Sequence, residues 1–273
     1  MSSPSVLAVA NQKGGVGKTT TAINTAAALA EMGRSVLLID TDPQANLTSG
    51  LGIDRRDVQT SIYDVLVLGH PLQEAAMITK LAGVLLVPSD IALAGSEVEL
   101  AALARREHRL RLALEAALEA PDIQTDYVII DCPPSLGLLT VNAIVAAQEL
   151  LIPVQCEFYA LEGLGLLTHT IALLRRDLNP RLGIAGIVMT QFDGRLALAH
   201  QVVDEVRARF GDALLRPLIP RNVRLSEAPS HGLPVTLYDP FCRGSAAYRE
   251  LAANLDERLR SQSKSASALG PSA

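Results

Sequence analysis

The sequence predicts an α/β fold: a twisted, mostly parallel β-sheet with helices on both faces. Short apolar runs rich in Val, Ile and Leu alternate with longer segments of helical periodicity along most of the chain. This alternation is typical of right-handed βαβ units, in which successive strands are parallel. Hydrophobic residues make up 49% of the chain and aromatic residues only 3%. Aliphatic side chains must therefore form the core, as they do in parallel sheets covered by helices.

The positions of the elements follow from the apolar runs and from the signals that end helices. Gly33 after the first helix and Asn179-Pro180 after a later one are such signals. Strands are predicted at residues 6–10, 36–40, 84–87, 127–131, 150–154, 184–190 and 214–219, and helices at 19–32, 97–119, 139–147, 161–177, 197–210 and 245–260.

No internal linker is rich enough in Pro or Gly to divide the chain, so residues 1–260 are predicted to form a single domain. The Ser- and Ala-rich residues 261–273 are expected to be a disordered tail. Three scattered cysteines without a CxxC pair favour a reducing cytoplasm over a disulfide framework. A net charge of −5 argues against a protein that coats nucleic acid with its whole surface, but it leaves room for a local basic patch.

The segment between the first strand and the first helix is rich in glycine and carries two lysines. Glycines let the backbone curl so that successive N–H groups point at phosphate oxygens, and the following helix adds its positive dipole end. In such a loop Lys18 reaches the β- and γ-phosphates and the Thr19 hydroxyl can bind Mg²⁺. The nucleotide-binding residues predicted in this loop are Lys13, Gly14, Gly15, Val16, Gly17, Lys18, Thr19 and Thr20.

Carboxylates follow two of the predicted strands, where open α/β sheets bind their ligands. Asp131 ends one strand and is interpreted as the Walker B carboxylate, which holds Mg²⁺ through water. Asp40 ends the other strand and is followed by Asp42. Together with Thr19, Asp40 and Asp131 are the predicted metal-site residues. Cys132, beside Asp131, is interpreted as a packing residue.

The loop departs from the common phosphate-loop pattern, because Gln12 stands where a glycine is usual and Lys13 adds a second lysine. It resembles the deviant Walker A motif of the P-loop superclass that contains the partitioning ATPases, the MinD-like ATPases and the nitrogenase iron proteins. Further segments resemble the ParA/Soj chromosome-partitioning ATPases in order and spacing, and the resemblance covers roughly residues 5–260. These segments are residues 10–24, 40–46, 49–52, 192–195 and 219–230.

The resemblance implies a P-loop ATPase with ATP and Mg²⁺ sandwiched between two identical subunits. Lys13 would then cross to the partner's nucleotide, so the implied catalytic residues are Lys13, Lys18 and Asp42. Asp42 would position the attacking water and Asp40 would support the water shell of the metal, although their roles could be exchanged. Pro220 and Asn222 match positions that border the adenine.

The same resemblance implies that Arg195 and Arg224 bind double-stranded DNA without sequence preference once ATP has formed the homodimer. Hydrolysis, stimulated by a ParB/Spo0J-type centromere-binding protein, would release the dimer. The protein is accordingly expected in the cytoplasm, on the nucleoid and without a membrane partner.

Two alternatives use the same scaffold. A MinD-like membrane-associated ATPase regulator needs a C-terminal amphipathic helix with a bulky apolar stripe, which the tail lacks. A metabolic ATPase, either an iron–sulfur reductase or a ligase, is the other alternative, and no cysteine pair suggests a cluster. A second basic segment, which carries Arg105, Arg106, Arg109 and Arg111, is flanked by Glu and is interpreted as a solvated helix face.

Overall fold

The computed structural model describes residues 4–121 and 123–268. These residues form one seven-stranded sheet in the order β3-β4-β2-β5-β1-β6-β7. The short β3 pairs antiparallel with β4, and the other pairings are parallel. The predicted fold class is therefore confirmed. The strands are β1 (Ser5–Val9), β2 (Val36–Asp40), β3 (Met77–Ile78), β4 (Val84–Val87), β5 (Tyr127–Asp131), β6 (Glu149–Gln155) and β7 (Gly183–Thr190).

Helices cover both faces of the sheet, because neighbouring residues of a strand point to opposite sides. Leu7 and Val9 of β1 pack with α1 and α11, whereas Val6 and Ala8 belong to the core that includes α5, α6, α7 and α8. The helices are α1 (Lys18–Glu31), α2 (Asn46–Gly50), α3 (Leu72–Ala75), α4 (Ser96–Ala101), α5 (Arg109–Glu119), α6 (Leu138–Ala146), α7 (Ala160–Asp177), α8 (Ala197–Phe210), α9 (Val223–Glu227), α10 (Val235–Tyr238) and α11 (Arg243–Ala268).

The register of the central strands determines where the loops meet. Val9 of β1 lies opposite Asp131 of β5, and Asp40 of β2 lies opposite the same residue from the other side. The carboxyl ends of β1, β2 and β5 therefore end level with one another. The glycine-rich loop that follows β1 and the carboxylates that end β2 and β5 are brought to one edge of the sheet.

The prediction of a single helix at residues 97–119 is wrong, since the structure has two helices in this region, α4 and α5, joined by a turn. Arg105 adopts a left-handed conformation in this turn, with φ of 53°. The fully buried Asn142 of α6 stabilises the break: its side chain accepts from Leu110 N at 3.1 Å and donates to Arg106 O at 2.7 Å. A distant side chain thus satisfies backbone groups that a continuous helix would pair internally.

The strand predicted at residues 214–219 is also wrong. Leu215 N and Ile219 N donate to carbonyls of β7, at 2.9 and 2.8 Å, so the segment does run beside the sheet. Pro217 lies between them and has no N–H to continue the ladder. Within residues 214–219, all of which the structure describes, strand pairing is limited to an isolated bridge between Leu214 and Ile187.

The last helix, α11, ends at Ala268 and so extends beyond the predicted boundary at residue 260. Residues 269–273 of the predicted tail lie outside the described part of the chain. The division of the chain at residue 260 stays a prediction. Within the described part, no helix is both long enough and apolar enough to cross a bilayer.

Polar contacts of Tyr248 and Asp256 help to join α11 to the rest of the core. The buried Tyr248 lies with its hydroxyl 3.2 Å from Thr21 Oγ1 of α1. Asp256 accepts two hydrogen bonds of 2.9 Å from Arg34 and one of 2.6 Å from the Tyr127 hydroxyl. Burial alone raises the pKa of Asp256, but the hydrogen bonds from Arg34 and Tyr127 outweigh it, and the pKa lies below its usual value.

We expect Asp256→Ala to lower the free energy of unfolding by about 3 kcal/mol, because it leaves the Tyr127 hydroxyl and the Arg34 guanidinium without their buried partner. The exposed Asp212 offers a matched control, and Asp212→Ala should change the stability by less than about 0.5 kcal/mol. Urea unfolding of both variants measures the difference. Equal midpoints would show that the Asp256 contacts do not stabilise the fold.

Candidate functional site

The glycine-rich loop between β1 and α1 has a conformation that requires glycine at two positions. Gly15 and Gly17 have φ of 74° and 88°, in the left-handed region. The end of β7 holds the loop in place: Thr190 Oγ1 donates to Val16 O at 2.8 Å, and Gln191 Nε2 donates to Gly15 O at 2.9 Å. Thr190 and Gln191 are not among the residues predicted from the sequence, although polar residues at the carboxyl end of a predicted strand could have indicated them.

A cavity of about 530 Å³ opens beside this loop, within the usual range for small-molecule sites. Its walls come from the loop and α1, from the segments after β2 and β5, from the end of β7, and from the region around α9. The cavity is lined by Gly14, Gly15, Gly17, Lys18, Thr19, Thr20, Ile23, Asn24, Asp42, Gln44, Asn46, Ser49, Gly50, Pro134, Gln191, Ser226, Ala228, Pro229 and Leu233.

Lys18 lies in this cavity and is only 7% exposed. Its Nζ donates to the carbonyl of Lys13 at 3.2 Å, which draws the side chain back across the loop. Burial lowers the pKa of Lys18, and the negative charges of Asp131 and Asp42 oppose that shift. An anion in the cavity would favour the charged lysine, as expected of a phosphate-binding residue.

Thr19, which lines the cavity, is bonded to the buried Asp131 at the end of β5. Thr19 Oγ1 donates to Asp131 Oδ2 at 2.6 Å, whereas the buried Asp131 Oδ1 has no hydrogen-bond partner among the described residues. Burial and the neighbouring carboxylates of Asp40 and Asp42 raise the pKa of Asp131 well above its usual value. An unpartnered buried carboxylate oxygen next to a hydroxyl fits a hard cation and its water shell.

Asp40 and Asp42 have different surroundings. Asp40 Oδ1 accepts from Asp42 N at 3.1 Å, and Oδ2 accepts from Thr48 N and Thr48 Oγ1 at 2.9 and 2.7 Å. Burial raises the pKa of Asp40 to about 6, against the effect of these bonds. Both oxygens of Asp40 therefore hold the loop after β2, while Asp42 lines the cavity. No group of three or more His, Cys, Asp or Glu residues in the described chain could hold a metal ion without further ligands.

Comparison with known proteins gives the family. A family model described as an AAA domain matches residues 4–184. The chain is 56% identical over 255 residues to the chromosome partitioning protein ParA of Caulobacter vibrioides, which covers 93% of this chain and 95% of that protein. It is 51% identical over 247 residues to the sporulation initiation inhibitor protein Soj of Bacillus subtilis, covering 90% and 96%.

The chain belongs to the ParA/Soj family. These relatives confirm the predicted family, the predicted chromosome-partitioning function and the predicted ATPase activity. A solved structure of cobyrinic acid a,c-diamide synthase from Mycobacterium smegmatis, with a bound ATP analogue and magnesium, is similar with a TM-score of 0.82. It is 39% identical and covers 95% of this chain and 97% of that one.

Several predicted site residues of this ParA/Soj-family ATPase do not line the cavity. Val16 is a buried residue of the loop itself, and Lys13 lies outside the cavity with its side chain 41% exposed, paired with Glu157 at 2.5 Å. Pro220 is bridged to Phe192, and the Asn222 side chain caps α9. The roles of Pro220 and Asn222 at the adenine stay predictions. From this part of the chain, the residues that do line the cavity are Ser226, Ala228, Pro229 and Leu233.

The segments that carry the two arginines predicted to bind DNA are joined where Arg221 N donates to Phe192 O at 2.9 Å. Arg195 lies in the loop before α8, and Arg224 lies in α9. Both are paired with carboxylates: Arg195 contacts Asp193 at 2.6 Å, and Arg224 contacts Glu227 at 2.8 Å and Asp239 at 3.2 Å. Acidic neighbours therefore balance part of the charge of both guanidinium groups.

We expect Lys18→Ala to weaken nucleotide binding about 10- to 100-fold, because it removes the charged donor that faces the phosphates. Titration with a fluorescent ATP analogue measures the affinity. Lys80→Ala is the matched control, since Lys80 is exposed and outside the cavity. Equal affinities for the two variants would mean that Lys18 does not contact the nucleotide.

Proposed function

We propose that this ATPase is a nucleotide-dependent switch in which ATP drives formation of a homodimer, the dimer binds DNA without sequence preference, and hydrolysis releases it. The observation that carries the proposal is that the two lysines of one loop have different surroundings. Lys18 is buried against the cavity, and Lys13 points away from it. A loop that needed both charges for its own nucleotide would direct both into the cavity.

The cavity suits a magnesium nucleotide. The loop backbone and Lys18 would hold the phosphates, and Thr19 together with Asp131 would hold Mg²⁺, with water completing the coordination. When bound, Mg²⁺ neutralises charge that develops on the phosphate oxygens. Asp42, which lines the cavity beside these groups, would orient the attacking water. Asp40 would act indirectly, because its oxygens are occupied by Thr48 and by the backbone of Asp42.

Lys13 is available to a second subunit. Its ammonium is held by Glu157 in an ion pair in which both side chains remain nearly half exposed. Such pairs contribute little to stability, so Lys13 can exchange Glu157 for a stronger anion at small cost. A triphosphate presented across a dimer interface is such an anion, and charge supplied in trans is an established way to stabilise phosphoryl transfer.

DNA binding would follow from the doubling of basic contacts. The chain carries a net charge of −5, so a monomer that offers only two such arginines should bind DNA weakly. A dimer presents twice as many guanidinium groups to the phosphate backbone, and affinity rises steeply with the number of phosphates neutralised. Arg195 and Arg224 are the proposed contacts, and the nucleoid is the proposed location within the cytoplasm.

The proposed partner that ends the cycle is a ParB/Spo0J-type centromere-binding protein, which would stimulate hydrolysis. The metabolic alternative has one observation in its favour, the name of the solved diamide synthase that is 39% identical. The partitioning relatives are more similar, at 51% and 56%. A switch also gives the outward-facing Lys13 a role, which a reaction within one subunit does not.

We expect Lys13→Ala to leave ATP binding by the monomer intact but to abolish the ATP-dependent dimer and to lower turnover about a thousandfold. Asp42→Ala is the contrasting variant: it should lose hydrolysis and retain the dimer. Sedimentation velocity with ATP, together with phosphate release, separates the two. A normal dimer with normal turnover in Lys13→Ala would contradict the proposed function.

We expect Arg224→Gln to weaken DNA binding by the ATP dimer about tenfold and to lower the slope of log affinity against log salt by about two units, one phosphate per subunit. Arg111→Gln is the matched control, since Arg111 is also paired with a glutamate, on α5. Fluorescence anisotropy with a short duplex at several salt concentrations measures both. A loss confined to Arg111→Gln would move the DNA face to α5.

A further inference from the structure

Arg224 is half exposed and is paired with two carboxylates, which compete for donors that a DNA phosphate could use. Glu227 Oε2 accepts from Nη1 at 2.8 Å, and Asp239 Oδ2 lies 3.2 Å from Nε. Carboxylate and phosphate oxygens bind guanidinium groups with the same geometry. We refer to Glu227 and Asp239 as the acidic clamp. All five N–H donors of Arg224 become available to a phosphate only after the acidic clamp has moved or lost an oxygen contact.

Glu227 is held in this position from a second direction. The Tyr238 hydroxyl donates to Glu227 Oε2 at 3.3 Å, and the Tyr238 ring stacks on His231 with centroids 4.8 Å apart. Arg195, by comparison, pairs with Asp193 two residues away in the same turn. The pairing of Arg195 is therefore local to one turn, whereas the acidic clamp joins Glu227, in the same helix as Arg224, to Asp239, the residue after α10.

The acidic clamp is built on the wall of the nucleotide cavity. Glu227 stands between Ser226 and Ala228, and both of these residues line the cavity. A nucleotide against this wall, or a second subunit that closes over it, acts on the residues bonded directly to Glu227. The same short segment thus carries a cavity surface on one side and the partner of Arg224 on the other.

We propose that Glu227 is an internal competitor of DNA: its carboxylate occupies Arg224 in the free chain, and its displacement accompanies the change to the DNA-binding state. This inference rests on the proposed function, in which Arg224 contacts DNA. Loss of an exposed ion pair of this kind changes the DNA affinity of one chain about two- to fivefold. In a dimer, where two chains contribute, the DNA affinity changes about four- to twenty-five-fold. The acidic clamp lowers DNA affinity most where nucleotide is absent.

The test compares Glu227→Gln with Glu115→Gln in the full-length chain. Both substitutions remove one charge from a Glu–Arg ion pair, but Glu115 pairs with Arg111 on α5. Binding to a 24-base-pair duplex of mixed sequence is measured by fluorescence anisotropy, without nucleotide and with ATP. We expect Glu227→Gln to bind DNA about two- to fivefold more tightly than Glu115→Gln without nucleotide, and the gain to disappear in the Glu227→Gln/Arg224→Gln double variant.

Equal affinities of the two single variants would overturn the proposal, as would a gain that persists in the double variant. If Glu227→Gln does not fold, Asp239→Asn tests the other half of the acidic clamp with the same readout and the same expected gain. The single variant Arg224→Gln separates the two levels of inference. If it loses DNA binding while Glu227→Gln behaves like Glu115→Gln, internal competition is wrong and the DNA-binding function stands.

Discussion

The buried carboxylate of Asp131 is the constraint on which the rest of the site depends. The register of three parallel strands brings it beside Asp40, and burial leaves one of its oxygens without a protein partner. Burial and the neighbouring carboxylate of Asp40 raise the pKa of Asp131. Thr19 and Lys18 oppose part of this shift from the start of α1. A bound cation would oppose it further, so the electrostatics of the site favour a magnesium nucleotide.

The same arrangement explains why Asp40 and Asp42 have different surroundings although only one residue lies between them. Asp40 is the last residue of β2 and is buried, so its oxygens must be satisfied by protein donors, and Thr48 with the backbone of Asp42 supplies them. This fixes the path of the chain after β2. Asp42 then reaches the cavity with a carboxylate that other groups occupy less. One aspartate determines where the second one lies.

The sequence was sufficient to predict an element wherever a local pattern of residues determines its structure. Long aliphatic runs located six of the strands, and the spacing of glycines and lysines located the phosphate loop together with its carboxylates. The errors arose where a distant residue determines the structure or where a single residue interrupts a local pattern. Asn142 of α6 divides the helix predicted at 97–119, and Pro217 interrupts a run whose composition is that of a strand. The cavity wall at Ser226–Leu233 was missed because short helical turns there carry no periodic pattern.

The contact between α11 and α1 has a consequence for how the protein is made. Tyr248 of α11 packs on Thr21 of α1, 227 residues earlier in the chain. On the ribosome, the helix that follows the phosphate loop emerges well before the helix that packs against it. The side of α1 that contacts α11 therefore stays uncovered until the segment around Tyr248 has been synthesised.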